Sequence, residues 1–448
     1  MKIAVVILEF PSLNETFILD HITGLIDRGH DVDIYATAPM ALPKFHGEVK
    51  RYDLLSRTVY RDSEKFTAPR NGILGVLRGA PLLARGLLKN PRATLNSLNV
   101  FRLGREASSL SALYKAAPFF NSGAYDIVHC HFLENGKLAV FLRELGAIRG
   151  KIVTSFHGYG RSYFTKAGAK HRFADLFKKG DLFLTCSEHM KRWFVQKGSG
   201  RETIIVHRCG VRVERFSAPK SKPNAQARLL SIGRLVEKKG FEYGIRGVAR
   251  ILRRFPDIRY DIVGDGPERP KLERLIVELG IANNVRLLGW QAREEVLRLL
   301  ERTHMFLAPS VTSRTGDQEG IPLVLHEAMA SGLPVVSTYH TGIPELVDDG
   351  ESGFLVPERD AEALANRLTH LIEHRAIWRE MGRKGRKRIE EFNDLEKQND
   401  RLIEIYRSLL DPQSRQVEVV VPSLLLGNTS SCCHTLRSQT GFVQDSSK

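Results

Sequence analysis

Residues 319–357, EGIPLVLHEAMASGLPVVSTYHTGIPELVDDGESGFLVP, carry the clearest structural pattern in the sequence. An apolar helical pattern covers 321–330 and ends at a Ser-Gly pair, which is typical of a helix C-terminus. Two short apolar runs, 334–337 and 353–356, then predict buried strands separated by a tight loop. A helix between short apolar strands favours an α/β fold.

Two carboxylates accompany this helix. Glu319 precedes it, and Glu327 lies eight positions later, which is about two helical turns. The free backbone N–H groups at the helix start form a site for anions or polar oxygens. We therefore expect Glu319 and Glu327 to mark two depths of one cleft. The alternative is an ordinary helix with two surface carboxylates.

A second strand-to-helix loop carries basic residues. A strand at 228–232 is followed by Arg234, and Lys239 precedes a helix at 241–254. Arginine offers a planar fork of donors and lysine a compact charge, and together they suit a pyrophosphate. Lys238 is the reserve candidate on this loop. A basic turn without a ligand is the alternative.

The N-terminal part also alternates strands with helices. The length of 448 residues suits two large domains. Strands at 2–8 and 30–36 enclose a helix and form a βαβ opening with a parallel sheet. Another strand ends at His131, and open α/β sheets place ligands at such strand ends. His129 and His131 could ligate a metal ion, but no acid completes the set, so we expect no metal.

The order Glu-x7-Glu, small-Gly-x-Pro-Val-Val and Gly-x-x-Glu resembles the nucleotide-sugar-binding half of the family-4 retaining glycosyltransferases. This resemblance implies the GT-B fold, in which two Rossmann-like domains face each other across a cleft. It implies that Glu319 faces the transferred sugar, that Glu327 holds the ribose, and that Arg234 and Lys239 hold the diphosphate. His157 matches a family position whose imidazole faces the reacting sugar.

The resemblance gives two sets of site residues in the second domain and the cleft. The expected catalytic residues are His157, Arg234, Lys239 and Glu319. The expected donor-binding residues are Arg234, Lys239, Glu319, Gly320, Ile321, Pro322, Leu323, Glu327 and Leu288. Leu288 enters this set because it lies on a strand whose end lines the nucleobase pocket in this fold.

The first loop suggests contacts on the acceptor side. Residues 11–17, PSLNETF, resemble the Ser-Glu-Thr-Phe variant of exopolysaccharide glycosyltransferases of the colanic-acid type, with Asn14 in place of the usual serine. Asn14, Glu15, His131 and Arg161 are the candidate acceptor-side residues. For Asn14 and Glu15, a helix N-cap with an acidic first turn is the alternative.

The charge of the chain indicates anionic partners. A formal net charge of +16 favours phosphorylated substrates, anionic membranes or nucleic acid, and no zinc-finger or RNA-binding signature supports nucleic acid. Basic residues lie beside apolar helical stripes over 66–117, which suits a peripheral contact with an anionic membrane. The alternative is that these helices cover the N-terminal sheet and expose a solvated basic face.

The expected cellular compartment is inferred from the lack of a membrane span, a signal peptide and a zinc-binding cysteine pattern in the sequence. No apolar run reaches the roughly 18 residues of a membrane span, and the N-terminal run is too short for a signal peptide. Five cysteines without a zinc spacing fit a reducing compartment. We expect a cytoplasmic protein, with a peripheral position on the inner face of the plasma membrane if 66–117 binds lipid.

These patterns divide the chain into four parts. The expected parts are an acceptor-side domain at 1–218 with the insertion 66–117, a nucleotide-sugar-binding domain at 219–390, a helix at 391–412 and a flexible tail at 413–448. The resemblance implies that the helix returns to the first domain, and Tyr406 lies near its end.

The expected activity is the transfer of a hexose from a nucleotide-diphosphate sugar to a saccharide or lipid-linked saccharide acceptor. By resemblance, the donor is a UDP-sugar, the product keeps the anomeric configuration, no cofactor or metal is needed, and the pathway is extracellular or surface polysaccharide biosynthesis. Two alternatives stay open. One is another GT-B enzyme, such as a nucleotide-sugar epimerase or a phosphorylase, and the other is a binding protein that holds the donor without transfer.

Overall fold

The computed structural model describes residues 1–12, 15–39, 46–63, 65–68, 72–157, 172–196, 203–219 and 226–411. These residues form two parallel β-sheets. The first sheet contains β1 (Lys2–Glu9), β2 (Asp31–Ala38), β3 (Thr58–Tyr60), β4 (Ile127–His131), β5 (Lys151–Phe156), β6 (Leu182–Thr185) and β7 (Ile204–Val206). The second contains β8 (Arg228–Ile232), β9 (Arg259–Val263), β10 (Val285–Gly289), β11 (Met305–Ala308), β12 (Val335–Thr338) and β13 (Gly353–Val356).

The helices of the described residues connect these strands. In the first half they are α1 (Thr16–Asp27), α2 (Gly47–Arg51), α3 (Gly72–Lys89), α4 (Pro91–Ser97), α5 (Val100–Leu103), α6 (Arg105–Ser108), α7 (Ser111–Ala116), α8 (Leu133–Leu145), α9 (Ala174–Lys179) and α10 (Glu188–Gln196). In the second half they are α11 (Phe241–Ile251), α12 (Arg269–Glu278), α13 (Arg293–Arg302), α14 (Leu323–Ala330), α15 (Ala361–Glu373), α16 (Ile377–Phe392) and α17 (Leu395–Leu410).

In each sheet, the strand that comes first in the sequence lies near the centre. Their orders are β3-β2-β1-β4-β5-β6-β7 and β10-β9-β8-β11-β12-β13. Ile3 to Ile7 of β1 are at most 1% exposed, as expected for a parallel strand that is covered on both faces. The strand order reverses between β1 and β4 and between β8 and β11, and ligands bind outside the carboxyl ends of strands at such points. The expected pair of Rossmann-like α/β domains is confirmed.

The chain passes between the domains twice, and the two passages lie side by side. The Val211 N–H donates to the Asn393 carbonyl at 2.8 Å, and the Leu395 N–H donates to the Val211 carbonyl at 3.0 Å. A Cβ on Gly210 would lie 2.6 Å from the Leu395 Cα. The residue at 210 must therefore be glycine for the passages to come this close.

The last helix, α17, belongs to the core of the first domain. Its residues Leu402, Ile403, Ile405 and Tyr406 are buried in one cluster with the inner residues of β1 and α1. The apolar positions recur at helical spacing along α17, which gives one buried face. The final helix of the described chain thus completes a core that the first residues begin.

A helical layer, α3 to α7, covers one side of the first sheet. Leu82, Ala93, Leu113 and Tyr114 pack into the core beneath it. The alternative interpretation of 66–117 was that its helices cover the N-terminal sheet and expose a solvated basic face. The structure agrees that the helices cover the sheet. No helix in the described part of the chain combines the length and apolarity needed to cross a membrane.

Candidate active site

The loop after β8 presents the basic residues of the second domain. A 3-10 turn spans Glu237–Lys239 and ends at Gly240, which has a φ of +65°. A Cβ at Gly240 would lie 1.8 Å from the Pro309 carbonyl oxygen. Glycine therefore lets this loop pack against the segment after β11, at the switch point of the sheet.

Glu319 lies between the two lysines of this loop. The Lys239 Nζ is 2.9 Å from Glu319 Oε2, and the Lys238 Nζ is 3.5 Å from Glu319 Oε1. Lys238 also contacts Asp317 at 3.1 Å. The structure thus joins Glu319 and Lys239, which the sequence separates by 80 positions, and it adds the reserve candidate Lys238 to the same cluster.

The charge of Glu319 is stabilised in a buried position. Burial alone would raise the pKa of this carboxyl, but the charges of Lys239 and Lys238 more than offset it and hold the pKa below its usual value. Glu319 Oε1 is buried and accepts no hydrogen bond. Oε1 lies 3.5 Å from the Lys238 Nζ, and a carboxylate oxygen has lone pairs with which it can also accept a hydrogen bond from a substrate hydroxyl.

The backbone of Glu319 is held by His340. The Glu319 N–H donates to His340 Nε2 at 3.1 Å, so the hydrogen of this ring is on Nδ1, which contacts Glu358 Oε1 at 2.6 Å. Sequence reasoning missed His340 and Glu358. His340 stands immediately before the Thr-Gly-Ile-Pro-Glu loop, but its partner depends on tertiary packing.

The segment after Glu319 faces the first domain. A Cβ on Gly320 would lie 3.1 Å from the Cys186 Sγ, which is on the other side of the cleft. The Thr341 hydroxyl donates to the Gly320 carbonyl at 2.7 Å. The helix begins at Leu323 rather than at 321, and Pro322 is its N-cap residue. Gly320 therefore lies at the rim of the cleft, and the donor-binding role of Gly320, Ile321, Pro322 and Leu323 stays a prediction.

Glu327 is paired with a residue that the sequence did not indicate. It is 6% exposed, and Arg293 Nη1 lies 2.6 Å from its Oε1. Burial raises the pKa of Glu327 although Arg293 acts in the opposite direction. The role of Glu327 toward a ribose stays a prediction, and Arg293 is the residue that orients its carboxylate.

Four histidines from three segments meet in the first domain. His131 Nδ1 is 2.8 Å from His157 Nε2, and His131 Nε2 is 3.0 Å from His21 Nδ1. Tyr406 of α17 contacts both His21 and His129 through its hydroxyl. These residues, apart from Tyr406, line one pocket together with Phe17, Cys186, His207 and Arg208. Cys186 links this pocket to the Gly320 rim.

The structure adds a third histidine to the two possible metal ligands, but it does not test whether the protein binds a metal. Ligand atoms of His21, His129 and His131 lie within 4.8 Å of one another, so a third histidine, rather than an acid, joins the pair that the sequence singled out. Zinc–nitrogen bonds of about 2.0–2.1 Å would place tetrahedral ligands roughly 3.4 Å apart. The rings instead hydrogen-bond to each other and to Tyr406 and Ser155, so the structure favours a hydrogen-bonded cluster.

The remaining candidates are dispersed. Glu15 is the N-cap residue of α1, as its alternative interpretation expects, although its side chain makes no capping hydrogen bond. Leu288 is half-buried near the end of β10, at the edge of the second sheet. Arg234 is exposed directly after β8. Asn14 and Arg161 lie outside the described residues, as does the tail at 413–448.

Comparisons with known proteins identify the family. Residues 213–388 match the model of the family described as Glycosyl transferases group 1, and residues 15–215 match Glycosyltransferase Family 4. The chain is 39% identical over 376 residues to WcaL of Escherichia coli K12, which is named as a putative colanic acid biosynthesis glycosyltransferase; the match covers 82% of this chain and 90% of WcaL. It is 36% identical over 382 residues to the amylovoran biosynthesis glycosyltransferase AmsK of Erwinia amylovora, with 84% and 92% covered.

Solved structures agree on the architecture. HepE of Anabaena in complex with UDP has a TM-score of 0.68 and 20% identity, with 91% of this chain and 100% of HepE covered. Sucrose-phosphate synthase of Thermosynechococcus elongatus has a TM-score of 0.67 and 18% identity, with 91% and 99% covered. These likenesses show the GT-B fold. With its cleft, its two family matches and its full-length relatives, the chain belongs to the family-4 glycosyltransferases of the group that includes the colanic acid and amylovoran enzymes.

Proposed function

We propose that this chain transfers a hexosyl group from a UDP-sugar to a saccharide or lipid-linked saccharide, with retention, in the synthesis of an extracellular or surface polysaccharide. The observation that carries the proposal is the buried, ionised Glu319, whose two carboxylate oxygens pair with Lys239 and Lys238 on the loop after β8. The relatives named for colanic acid and amylovoran support the pathway. The HepE complexes with UDP and UDP-glucose support the donor class.

The proposed chemistry uses Glu319 and the basic residues of the loop after β8. The bond from the anomeric carbon to the diphosphate oxygen breaks, and the acceptor oxygen bonds to the same carbon from the same face. The acceptor proton passes to a diphosphate oxygen, and the nucleoside diphosphate leaves. Lys239 and Arg234 stabilise the negative charge that develops on the leaving group, and Glu319 orients the sugar. Because these cations supply the charge, we propose that transfer needs no divalent metal.

Substitution of Lys239 tests this assignment. Lys239→Ala should lower kcat by about 100-fold, the scale typical for loss of one group that stabilises transition-state charge. Lys384→Ala is the matched control, because Lys384 also pairs with a carboxylate of the second domain, Glu351, but on an exposed surface. A Lys239→Ala enzyme within twofold of wild type would refute the role of Lys239.

The donor can be identified without knowledge of the acceptor. The correct nucleotide sugar binds the folded state and should raise the melting temperature. We expect UDP-hexoses to protect the protein and GDP-sugars to leave it unchanged. Release of free sugar without an acceptor, or a product epimerised at the sugar, would instead favour the hydrolytic, phosphorolytic or epimerase alternatives.

We further propose that α3 to α5 bind an anionic phospholipid surface. The outer side of this layer is apolar as well as basic: Phe101 is 100% exposed, Leu88 84% and Leu77 67%. Leu77 and Leu88 are eleven residues apart, about three helical turns, and therefore share a face of α3. Arg78, Arg85 and Lys89 are exposed beside this apolar face, which is the arrangement of a helix that lies in a membrane interface.

Vesicle binding tests this surface. Replacing Arg78, Arg85 and Lys89 by Gln should weaken binding to phosphatidylglycerol vesicles about 100-fold at low salt, since each basic residue contributes about 1 kcal/mol. The control replaces Arg383, Lys384 and Lys387 of the second domain by Gln. Leu77→Ser with Leu88→Ser should also weaken binding. The proposal would be rejected if all variants bound equally well. It would also be rejected if the wild type bound neutral vesicles strongly and phosphatidylglycerol vesicles weakly.

A further inference from the structure

The pocket that the four histidines line reaches the hinge, where the two chain passages between the domains lie side by side. Its lining includes Gly210 of the first passage and Leu395, Gln398, Asn399 and Leu402 of α17. Burial keeps the pKa of each lining histidine below 6.5, so these rings are neutral at pH 7. Among the described residues of the lining, Arg208 is therefore the one charged side chain, and no carboxylate joins it.

Arg208 is only weakly paired. Within the described part of the chain it makes one ion pair, with Glu345 Oε2 at 4.0 Å, and its guanidinium donates no hydrogen bond. That carboxylate already accepts the backbone N–H groups of Glu188 and His189. A guanidinium carries five N–H donors in a planar fork. Arg208 can therefore offer donors to an oxyanion in the pocket.

A second arginine, Arg401 of α17, adds positive charge beside this pocket. His207 Nε2 lies 3.0 Å from the Gln398 carbonyl oxygen, which holds the segment of Arg208 against α17. Arg401 follows Gln398 by about one helical turn. Burial and the charge of Arg208 lower its pKa, although Glu404 acts in the opposite direction. With the described residues Arg401 makes neither a hydrogen bond nor an ion pair. Two partly buried like charges repel each other, and a bound anion relieves this repulsion.

Unpartnered amides complete the pocket. Asn399 is 5% exposed and Gln398 is 9% exposed. Asn399 Nδ2 and Gln398 Oε1 are buried and have no hydrogen-bond partner among the described residues, which is unfavourable unless a ligand or water supplies one. Asn399 Nδ2 can donate to an anion oxygen, and Gln398 Oε1 can accept from a hydroxyl. This set suits an oxyanion that also carries hydroxyl groups, such as a phosphorylated or acidic sugar.

We propose that this pocket binds the anionic group of the acceptor, a phosphate or a carboxylate, through Arg208 and Asn399, and that Arg401 strengthens the attraction. The inference rests on the proposed transfer reaction and deepens it, because it makes the acceptor an anion. Cys186 of the same pocket lies beside Gly320 at the rim of the cleft, so an anion held here is next to the donor segment. The donor diphosphate is assigned to the loop after β8, and the two anions therefore use different cations.

Calorimetry with small probes tests the pocket without knowledge of the acceptor. The probes are glucose 1-phosphate, methyl glucuronide and, as the neutral reference, methyl glucoside. We expect wild type to bind one of the anionic probes at least about tenfold more tightly than methyl glucoside, because hydrogen bonds to charged groups are the stronger ones. A preference for glucose 1-phosphate would indicate a phosphate-bearing acceptor, and a preference for methyl glucuronide an acidic saccharide. Equal binding of all three probes, or no binding, would overturn the inference.

Substitutions on the two sides of the pocket provide the second arm. Arg208→Gln should weaken binding of the preferred anionic probe about tenfold. Arg401→Gln should weaken it about threefold, because Arg401 acts through charge alone, and it keeps the test valid if Arg208→Gln does not fold. Arg407→Gln is the matched control, because Arg407 is an exposed arginine of the same helix. Unchanged binding in both test variants, or an equal loss in Arg407→Gln, would overturn the inference.

Two further variants separate this site from its neighbours. If Arg208 only supported Glu345, Glu345→Gln would weaken anion binding as much as Arg208→Gln does. As a direct ligand, Arg208 should instead bind the anion more tightly in Glu345→Gln, because its competing carboxylate is gone. Lys239→Ala should leave the binding unchanged. Loss of binding in Lys239→Ala together with unchanged binding in Arg208→Gln would place the anion on the loop after β8 and overturn the inference.

The outcome does not depend on whether the transfer reaction is found. If no nucleotide sugar supports transfer, the proposed function fails, while the dependence of anion binding on Arg208 still decides what this pocket binds. If transfer is found but neither anionic probe binds, the proposed function stands and the inference about the acceptor fails.

Discussion

Glu15 has a carboxyl group that titrates near neutral pH. Burial and the nearby charge of Glu9 raise its pKa to about 7. The folded protein therefore binds this proton more tightly than the unfolded chain, whose glutamate pKa is near 4.5. The stabilising effect of the proton is complete below about pH 4.5 and is lost as the pH rises through 7.

This shift predicts a pH-dependent gain from Glu15→Gln. At pH 8 the variant should be more stable than wild type by up to about 3 kcal/mol, because glutamine avoids the buried charge. At pH 5 the two proteins should differ little. Urea unfolding at both pH values measures the difference. Glu278→Gln, at an exposed position, is the control, and a gain from Glu15→Gln that is equal at both pH values would show that the buried charge is not its cause.

For individual residues, the sequence could predict a place in the site only where the residue stands in a recognisable local motif. Glu319 and Lys239 stand in motifs with fixed spacing, and the structure brings them together. His21 and Tyr406 carry no such signal. Their contact joins positions 385 residues apart, and its formation depends on how α17 packs against α1.

At the element scale, Gly240 joins the 3-10 turn of Lys238 and Lys239 to α11. Gly240→Ala must place a side chain at a positive φ and against the Pro309 carbonyl. We expect a loss of more than about 2 kcal/mol in unfolding free energy, since the backbone strain alone costs about 1–2 kcal/mol. We also expect weaker donor binding, because Lys239 is displaced.

Gly280 is a matched control for this prediction. It has a similar φ of +68°, but a Cβ there would meet no atom within 4 Å. Gly280→Ala should therefore show the backbone strain without the clash, and donor binding should stay unchanged. Chemical unfolding and titration with UDP measure both quantities. Equal effects from the two changes would mean that the Pro309 contact does not matter.

The elements themselves followed closely from the sequence. Apolar runs such as IAVVI predict β1, and the structure confirms a strand from Lys2 to Glu9. Alternation with helices predicted parallel sheets, whereas the order of the strands within each sheet came only from the structure. The sequence left two interpretations for the outer face of α3, a membrane contact or a solvated basic face. A helical stripe in sequence does not reveal which of its apolar residues the neighbouring helices cover.

At the scale of the whole molecule, Glu345 connects the two domains. Its carboxylate accepts hydrogen bonds from the backbone N–H groups of Glu188 and His189, at 2.8 and 2.6 Å. These groups form the start of α10 in the first domain, where a negative charge is stabilised by the free N–H groups and the helix dipole. Arg208 lies 4.0 Å from the same carboxylate.

Loss of this contact should open the cleft. We expect Glu345→Ala to destabilise the protein by about 1–2 kcal/mol and to increase its radius of gyration in solution scattering. Asp360→Ala is the control, because Asp360 caps α15 in the same way but within one domain. An unchanged radius of gyration in Glu345→Ala, or an equal increase in Asp360→Ala, would show that Glu345 does not hold the domains together.

The position of α17 also affects how the protein is made. Leu402, Ile403 and Tyr406 complete the core of the first domain, yet they follow the whole second domain in the chain. A ribosome has therefore synthesised nearly all of the described residues before the first domain can close its core. Until then the nascent chain exposes the apolar groove that α17 will fill, so the order of translation makes the first domain to emerge the last to finish folding.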